Sequence, residues 1–287
     1  MKRKHIVYEK KDNIAVITFN RPDKLNTFDF PGQGGIADEF FSTLEEAAAD
    51  DDLKVVIIKG AGSSFSAGHD LTVLESTYGL GTGKSGEKRQ GQSIRLRNDR
   101  LWFEKHMMLL TFPKYTIAQV HGYCVGEGLT IVEDCDIAVA AEDAKLGHIG
   151  DRIVGPGTGI PTLPVLILKV GLTRALDLIT TGKMLSGKEA AEIDLVTTSV
   201  PSDQLEEEVT RRANLICLSP ADGIAIGKAL RHSIYERLGL LSGYINAYSN
   251  HTLFTNARFR PGEFNLLKEK RDKGAKNAFH ELHGRYH

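Results

Sequence analysis

The chain has few cysteines: three in 287 residues, and no two of them form a Cys-x-x-Cys pair. An odd number without paired spacing argues against a disulfide framework and against a zinc site, so we expect no bound metal. The chain also lacks an apolar run of the roughly 20 residues that cross a bilayer, and no apolar segment typical of a signal peptide follows its basic start. These absences predict a protein of the reducing cytoplasm.

The chain also lacks an excess of charge of either sign. Its 36 Lys and Arg residues are balanced by 37 Asp and Glu residues, whereas proteins that bind nucleic-acid phosphates usually have a basic excess. We therefore expect no nucleic-acid partner and no membrane partner. With 41% hydrophobic and 25% charged residues, the composition is that of an ordinary globular protein.

Strand-like and helix-like patterns alternate along the first part of the chain. Residues 5–20 alternate between two faces and predict a strand, residues 36–50 have helical spacing, and Val55–Ile58 predicts a buried strand. A helix is expected at 94–110, and strand-like segments follow it. This order predicts an α/β fold.

The patterns after residue 200 are helical, with expected helices at 203–218, 220–238 and 239–256. We therefore predict a core over residues 1–200 and a helical region over residues 201–287. Residues 78–93 are polar and rich in glycine, and this composition predicts a mobile loop.

Two glycine-containing turns are the best candidates for a functional site. Residues 117–136 pass from an apolar run through a glycine-rich turn into a helix-like segment, with Glu127 between two glycines. Ser64–Leu71 is a second joint between a strand and a helix. The N–H groups at the start of a helix have no partner within it, so they can bind a ligand. A dinucleotide site is disfavoured, because its glycine motif should follow the first strand of a domain.

The two turns together predict a more specific device. If each turn supplies one backbone N–H to a single carbonyl oxygen, the pair forms an oxyanion hole, which lowers a reaction barrier by roughly 3–4 kcal/mol per donor. A thioester carbonyl is a suitable target, because its enolate concentrates negative charge on that oxygen.

Four segments in order resemble the motifs of the crotonase (enoyl-CoA hydratase/isomerase) superfamily. Asn20–Asn26 is similar to NRPxxxNA, and Phe65–Leu71 to F-x-A-G-x-D-[LI]. Tyr115–Asp136 is similar to P-x-I-A-x-V-x-G-x-x-x-G-G-G with the strand entry after it, and Thr181–Val196 to TGxxxxAxEAxxxGLV. The resemblance implies a ββα superhelix with a C-terminal helical region that forms a homotrimer or a dimer of trimers.

The resemblance also implies a substrate and the residues that bind it. The backbone N–H groups of His69 and Glu127 would bind the thioester oxygen, and Lys270 or Arg271 would meet the phosphates unless their helix is merely solvated. Coenzyme A would be part of the substrate, and no tightly bound cofactor is expected. The residues expected around coenzyme A are Lys24, Leu25, Ser66, Ala67, Asp70 and Leu71.

The sequence departs from the superfamily at its two catalytic glutamates, because Thr130 and Gly150 stand at those positions. Water addition by the usual pair of carboxylates is therefore in doubt. Candidate substitutes are Glu127, Thr130, His148 as a general base, and Asp151. Each also has a structural reading, such as a core histidine, an ion-paired aspartate or a threonine that lines a helix.

Three functions remain open at this point. The first is an acyl-CoA enzyme of the hydratase/isomerase class, a lyase that stabilises a thioester enolate with a non-standard acid or base. The second is a hydrolase that cleaves a C–C bond of a cyclic β-diketone, with His148 as the base. The third is a homologue that binds coenzyme A and has lost catalysis.

Overall fold

The computed structural model describes residues 3–72, 90–154, 160–256 and 259–286 of the chain. Within these ranges, the side chains of residues 151, 154, 267 and 275 are not described. Most of the loop expected at 78–93 lies outside the described residues. None of the described helices is both long and apolar enough to cross a bilayer.

A six-stranded mixed sheet forms the centre of the fold, in the order β1-β2-β3-β4-β6-β9. β1 and β2 are antiparallel, and the other neighbours pair in parallel. The single strand expected at 5–20 is in fact two strands, because the chain reverses at Asp12, where φ is +54°. The strands of this sheet are β1 (Ile6–Lys11), β2 (Ile14–Phe19), β3 (Val55–Gly60), β4 (Tyr115–Val120), β6 (Ile137–Ala141) and β9 (Thr198–Val200).

A second, three-stranded sheet lies beside the carboxyl end of β4. It contains β5 (Tyr123–Val125), β7 (Lys145–Gly147) and β8 (Leu185–Ser186), with β7 in the middle. β5 follows β4 after a turn at Gly122, whose φ is +55°. A Cβ there would lie 1.9 Å from the carbonyl oxygen of Ser63, so only glycine allows this close approach.

Helices connect the strands and make up the C-terminal part of the chain. The helices expected at 36–50, at 94–110 and after residue 203 are confirmed, with ends shifted by a few residues. The α/β class is confirmed as well. The helices are α1 (Ile36–Ala48), α2 (Gln92–Leu110), α3 (Glu127–Asp134), α4 (Asp151–Val154), α5 (Leu163–Val170), α6 (Leu172–Thr181), α7 (Gly187–Glu192), α8 (Leu205–Cys217), α9 (Ala221–Arg237), α10 (Leu240–Phe254), α11 (Leu266–Lys273) and α12 (Ala275–Gly284).

One apolar core extends beyond the boundary expected at residue 200. Leu205, Val209 and Ala213 of α8 belong to the same buried cluster as the strands of the large sheet. α10 packs along α2, and α11 and α12 share a small cluster of their own around Leu266 and Leu282. The helical region is therefore attached to the core through α8 and α10.

Candidate active site

The two glycine turns meet backbone to backbone. The segment after β3 forms parallel bridges on both of its edges, from Ser66 to Cys124 and from His69 to Phe28. Gly68 and Gly126 have φ angles of +84° and +53°. A Cβ on Gly68 would lie 2.8 Å from the carbonyl oxygen of Val125. The close contact of these turns therefore requires glycine at position 68.

Two backbone N–H groups lie at this junction. The Phe28 N–H donates to the Gly68 oxygen at 2.8 Å, and the Asp70 N–H donates to the Phe28 oxygen at 2.7 Å. In a parallel bridge of this pattern the N–H of the central residue, His69, points to the opposite edge, where Val125 and Gly126 lie. The N–H of Glu127 is in the first turn of α3 and has no acceptor within the helix.

The turn at Asn20–Asn26 supports this junction through hydrogen bonds. The Asn26 side chain is buried, and its Nδ2 donates to the carbonyl oxygens of Ala61 at 2.9 Å and Ser64 at 2.8 Å. The Ser66 hydroxyl donates to the Asn26 oxygen at 2.8 Å and accepts from the Gly68 N–H at 3.1 Å. Ser66 therefore holds the turn in place and does not line the neighbouring cavity.

A cavity of about 1430 Å³ opens at the junction. Its wall includes four of the residues expected around coenzyme A, Leu25, Ala67, Asp70 and Leu71, together with His69. Lys24 lies near Asp70, with 3.8 Å between Nζ and the carboxylate, and its side chain is 54% exposed. Four of the six residues expected around coenzyme A thus lie on the cavity wall, and Lys24 and Ser66 do not.

The far wall of the cavity comes from the end of the chain. Phe279, His283 and Tyr286 line it, whereas Lys270 and Arg271 do not. Arg152 also lines the cavity, donates to Nδ1 of His283 at 3.2 Å, and lies 4.6 Å from the centre of the Tyr286 ring. These contributors were not identified from the sequence.

The carboxylate of Glu127 points into the protein interior, and the residue is 3% exposed. The Trp102 indole N–H lies 3.2 Å from both carboxylate oxygens, and Nε2 of His106 lies 3.0 Å from Oε1. Nε2 of His69 lies 3.3 Å from Oε2. Burial alone would raise the pKa of Glu127, but His106 and His69 outweigh it and lower that pKa, so the carboxylate is ionised.

The hydrogen-bonded cluster continues beyond His106. Its Nδ1 lies 2.7 Å from Oδ2 of Asp134, and the hydroxyl of Tyr244 donates to the other oxygen of that carboxylate. Burial alone would lower the pKa of His106, but Glu127 and Asp134 raise it to about 10. Burial raises the pKa of Asp134 to about 6, although His106 opposes this shift. His106 is therefore a buried cation between two carboxyl groups.

The other candidates lie in different surroundings. His148 is 3% exposed and does not line the cavity, and its Nε2 lies 2.9 Å from Oε1 of Glu133. The Thr162 hydroxyl donates to the other oxygen of Glu133. The Thr130 hydroxyl donates to the Gly126 oxygen at 3.1 Å, within its own helix. Asp151 begins α4, and its side chain is outside the described part of the structure.

The structure therefore brings together a set of residues that sequence reasoning largely missed. His69 was assigned a role for its backbone alone, but its imidazole lines the cavity and contacts Glu127. A signal was present: Trp102 and His106 are four residues apart on one helix, and Glu127 and Asp134 are seven apart on the next. Both spacings place the two side chains on the same face of a helix.

The alternating sheet and helices, with paired glycine turns at a large cavity, define an α/β protein of the crotonase type. The chain belongs to the enoyl-CoA hydratase/isomerase family, whose model, described as Enoyl-CoA hydratase/isomerase, matches residues 9–273. This confirms the resemblance drawn from the four sequence motifs.

Individual proteins support the same assignment. The Hydroxycinnamoyl-CoA hydratase-lyase of Pseudomonas fluorescens is 31% identical over 218 residues, which cover 76% of this chain and 74% of that protein. The rat Enoyl-CoA hydratase domain-containing protein 3, mitochondrial, is 31% identical over 80% of this chain and 69% of its own length. The structure of an enoyl-CoA hydratase/isomerase from Xanthobacter autotrophicus Py2 superposes with a TM-score of 0.84 at 27% identity and covers 99% of both chains.

Proposed function

We propose that this protein is an enzyme that binds acyl-CoA thioesters and stabilises the thioester enolate with the N–H groups of His69 and Glu127. The observation that carries the proposal is the contact between the turns at Gly68 and Gly126, beside a cavity lined by the motif residues. Two N–H donors aimed at one oxygen stabilise the charge that develops there, each by about 3 kcal/mol.

The chemistry follows from the acidity of the carbon next to the thioester carbonyl. Hydrogen bonds to the carbonyl oxygen favour loss of a proton from this α carbon, because the electron pair moves onto that oxygen. The start of α3 adds the partial positive charge of a helix N-terminus. Enolate formation is shared by hydration, isomerisation and related reactions, so the site supports the hydratase/isomerase class with a non-standard acid or base.

The cavity offers suitable contacts for the coenzyme A part of such a substrate. Leu25, Ala67 and Leu71 are apolar neighbours for its pantetheine arm and adenine, and Asp70 lines the same wall. Lys24 and Arg152 supply positive charge for its phosphates. Coenzyme A enters here as part of the substrate, and a homotrimer or dimer of trimers in the cytoplasm remains our prediction for the assembly.

The proposed function is tested with a panel of acyl-CoA thioesters. We expect butyryl-CoA to bind, as measured by calorimetry. If the enzyme adds water across the double bond of crotonyl-CoA, we expect the conjugated absorbance of that thioester in the ultraviolet to decrease. Free coenzyme A and a butyrate ester without coenzyme A are the matched controls. If no member of the panel binds more tightly than the ester, the thioester proposal is wrong.

A β-diketone C–C hydrolase is the second candidate, because the structure holds two imidazole–carboxylate pairs near the glycine turns. His69 contacts Glu127, and His148 contacts Glu133. A hydrolase of this kind would cleave a bicyclic β-diketone without coenzyme A. Such cleavage, together with failure to bind thioesters, would favour it over the first candidate. Thioester binding without any turnover would instead favour a non-catalytic homologue.

A further inference from the structure

We infer that the imidazole of His69 is the acid–base group of this site, and that Glu127 and His106 position it. This inference rests on the proposed function and names the group that takes the proton from the α carbon. His69 would then have two roles, because its backbone N–H binds the thioester oxygen while its side chain removes the adjacent proton.

The position of the His69 ring is the first observation that supports this role. His69 lines the cavity, and its side chain is 15% exposed. The ring stacks on Phe30 with 4.2 Å between centroids and lies 5.3 Å from the Trp102 ring. These aromatic neighbours hold the imidazole against the wall of the site. Because the amide and the ring belong to one residue, a carbonyl bound at the amide would place its α carbon against this same wall of the cavity.

The surroundings of the two ring nitrogens are the second observation. Nε2 lies 3.3 Å from the Glu127 carboxylate. Among the described residues, neither ring nitrogen has a hydrogen-bond partner although both are buried, so Nε2 has only its ion-pair contact with Glu127 and Nδ1 has no partner. A buried polar atom without a partner costs free energy, and a ligand atom or a transferred proton would relieve that cost. A carboxylate on one nitrogen also stabilises the imidazolium that forms when the other takes up a proton.

The buried contacts of the Glu127 carboxylate are the third observation. Trp102 and His106 hold the carboxylate through the indole N–H and Nε2, so Glu127 cannot turn away from His69 without breaking these contacts. Among the described residues, the neighbouring carboxylate of Asp70 already pairs with Arg21 at 3.5 Å and with Lys24. Glu127 is thus the carboxylate that faces the imidazole directly, and His106 is the cation that keeps it ionised.

The proton transfer balances without an added reactant. The α C–H bond breaks, its proton forms an N–H bond at Nδ1 of His69, and the electron pair becomes the enolate held by the two N–H groups. Return of the proton to the α carbon gives exchange with solvent. Return to the γ carbon of an unsaturated acyl group moves its double bond.

The first experiment follows deuterium uptake at the α carbon of butyryl-CoA in D₂O by mass spectrometry. We expect His69→Gln to lose exchange by about 10²–10⁴-fold and to keep the thioester affinity, because the variant retains the backbone N–H. His121→Gln is the matched control, since that half-buried histidine bonds to the Gly62 oxygen outside the cavity. The control should keep the wild-type rate.

Several outcomes would overturn the inference. They are wild-type binding without exchange, an unchanged rate in His69→Gln, or loss of exchange in His148→Gln with retention in His69→Gln. Failure of the wild type to bind thioesters would instead refute the proposed function, and the inference with it. The measured affinity for thioesters therefore distinguishes a failure of the His69 inference from a failure of the proposed function.

The positioning role of His106 needs a different readout, the pH dependence of exchange. His106 lowers the pKa of Glu127, so its removal should raise that pKa and move the acidic limb of the profile to higher pH in His106→Gln. Trp102→Phe removes one donor to Glu127 with less disturbance and should shift the limb in the same direction. An unmoved limb in both variants would mean that the cluster is only structural.

Discussion

At the scale of single residues, the main feature is a charged side chain at a position where the superfamily motif resembled by Tyr115–Asp136 has glycine. Glu127 is tolerated there because its carboxylate is removed from the cavity and satisfied inside the protein. A buried ion is costly unless it is paired and hydrogen-bonded. Here His106, Trp102 and His69 all contact one carboxylate, so the cost is largely offset.

The charge on His106 makes a prediction about stability and pH. Its pKa is raised from 6.5 to about 10, so its contribution to folding is complete below pH 6.5 and is lost as the pH rises through about 10. The temperature at the midpoint of thermal unfolding should therefore decrease as the pH rises from 7 to 10 in the wild type. His106→Gln should be less stable at pH 7 but should show a shallower fall, as measured by calorimetry.

Parallel curves of unfolding midpoint against pH for the wild type and His106→Gln would contradict this prediction. They would mean that His106 does not hold a proton in the folded protein. His121→Gln is again a suitable control, because that side chain bonds to a backbone oxygen and has no carboxylate partner among the described contacts.

Single residues were the part of the site that the sequence predicted least well. Glu127 could be singled out because a side chain between two glycines is unusual. Its partners could not be identified, because His106 lies 21 residues away and Tyr244 meets Asp134 across 110 residues. Such contacts depend on how α2, α3 and α10 pack, which no local pattern contains.

At the scale of secondary-structure elements, the start of α3 is where backbone geometry matters most. Gly126 precedes the helix with φ +53° and ψ −119°, a conformation open almost only to glycine. The same residue sets the direction of the Glu127 N–H. All eight residues of α3 are buried, so the helix cannot shift to relieve strain.

This geometry predicts that Gly126→Ala destabilises the protein by about 1–3 kcal/mol and also weakens thioester turnover more than the loss of folded protein explains. Gly171→Ala is the matched control, since Gly171 precedes α6 with φ +82° and ψ 156° and has open space around it. We expect a similar loss of stability in the control, by denaturant unfolding, with activity per folded molecule retained. Equal activity in both variants would contradict the role given to this turn.

Elements were predicted well wherever the apolar pattern was strong. β3, α1 and the helices after residue 203 lie close to their expected ranges, because their buried faces follow a regular period. The exception is the first strand, where residues 6–11 and 14–19 form a hairpin. The turn at Asp12 carries no glycine or proline, so the Asp12–Asn13 pair is the one signal of the reversal in the sequence, and it is a weak one.

At the scale of the whole molecule, one apolar stripe has no cover within the described chain. Ile226, Leu230 and Ile234 follow one another at helical spacing on α9, and they are 70%, 63% and 43% exposed. Large exposed apolar surfaces commonly mark contacts between proteins. The trimer implied by the superfamily motifs offers an occupant for this stripe, namely a second copy of the chain.

We therefore predict three chains per particle, or six, in sedimentation equilibrium, and we expect Ile226→Asp combined with Leu230→Asp to dissociate the particle into single chains. Glu207→Gln, on the exposed face of α8, serves as the control. A monomeric wild type would refute the assembly, and an intact oligomer in the double variant would place the interface elsewhere.

The overall architecture could be predicted because four motifs in order identify the superfamily. The attachment of the C-terminal region could not, since α8 shares the core of the large sheet and α12 reaches the cavity with Phe279 and His283. These packings join residues that are far apart in the chain, and helical periodicity alone does not say which element a helix will meet.

The hydroxyl of Tyr244 gives the cluster a further consequence. It links α10 to Asp134, and through His106 to the carboxylate beside the cavity. Thermodynamic coupling is reciprocal: a ligand that favours one protonation state of Glu127 also changes how firmly α10 is held. We therefore expect occupancy of the cavity to change amide exchange in α10, and slower exchange there would report a filled site from a distance.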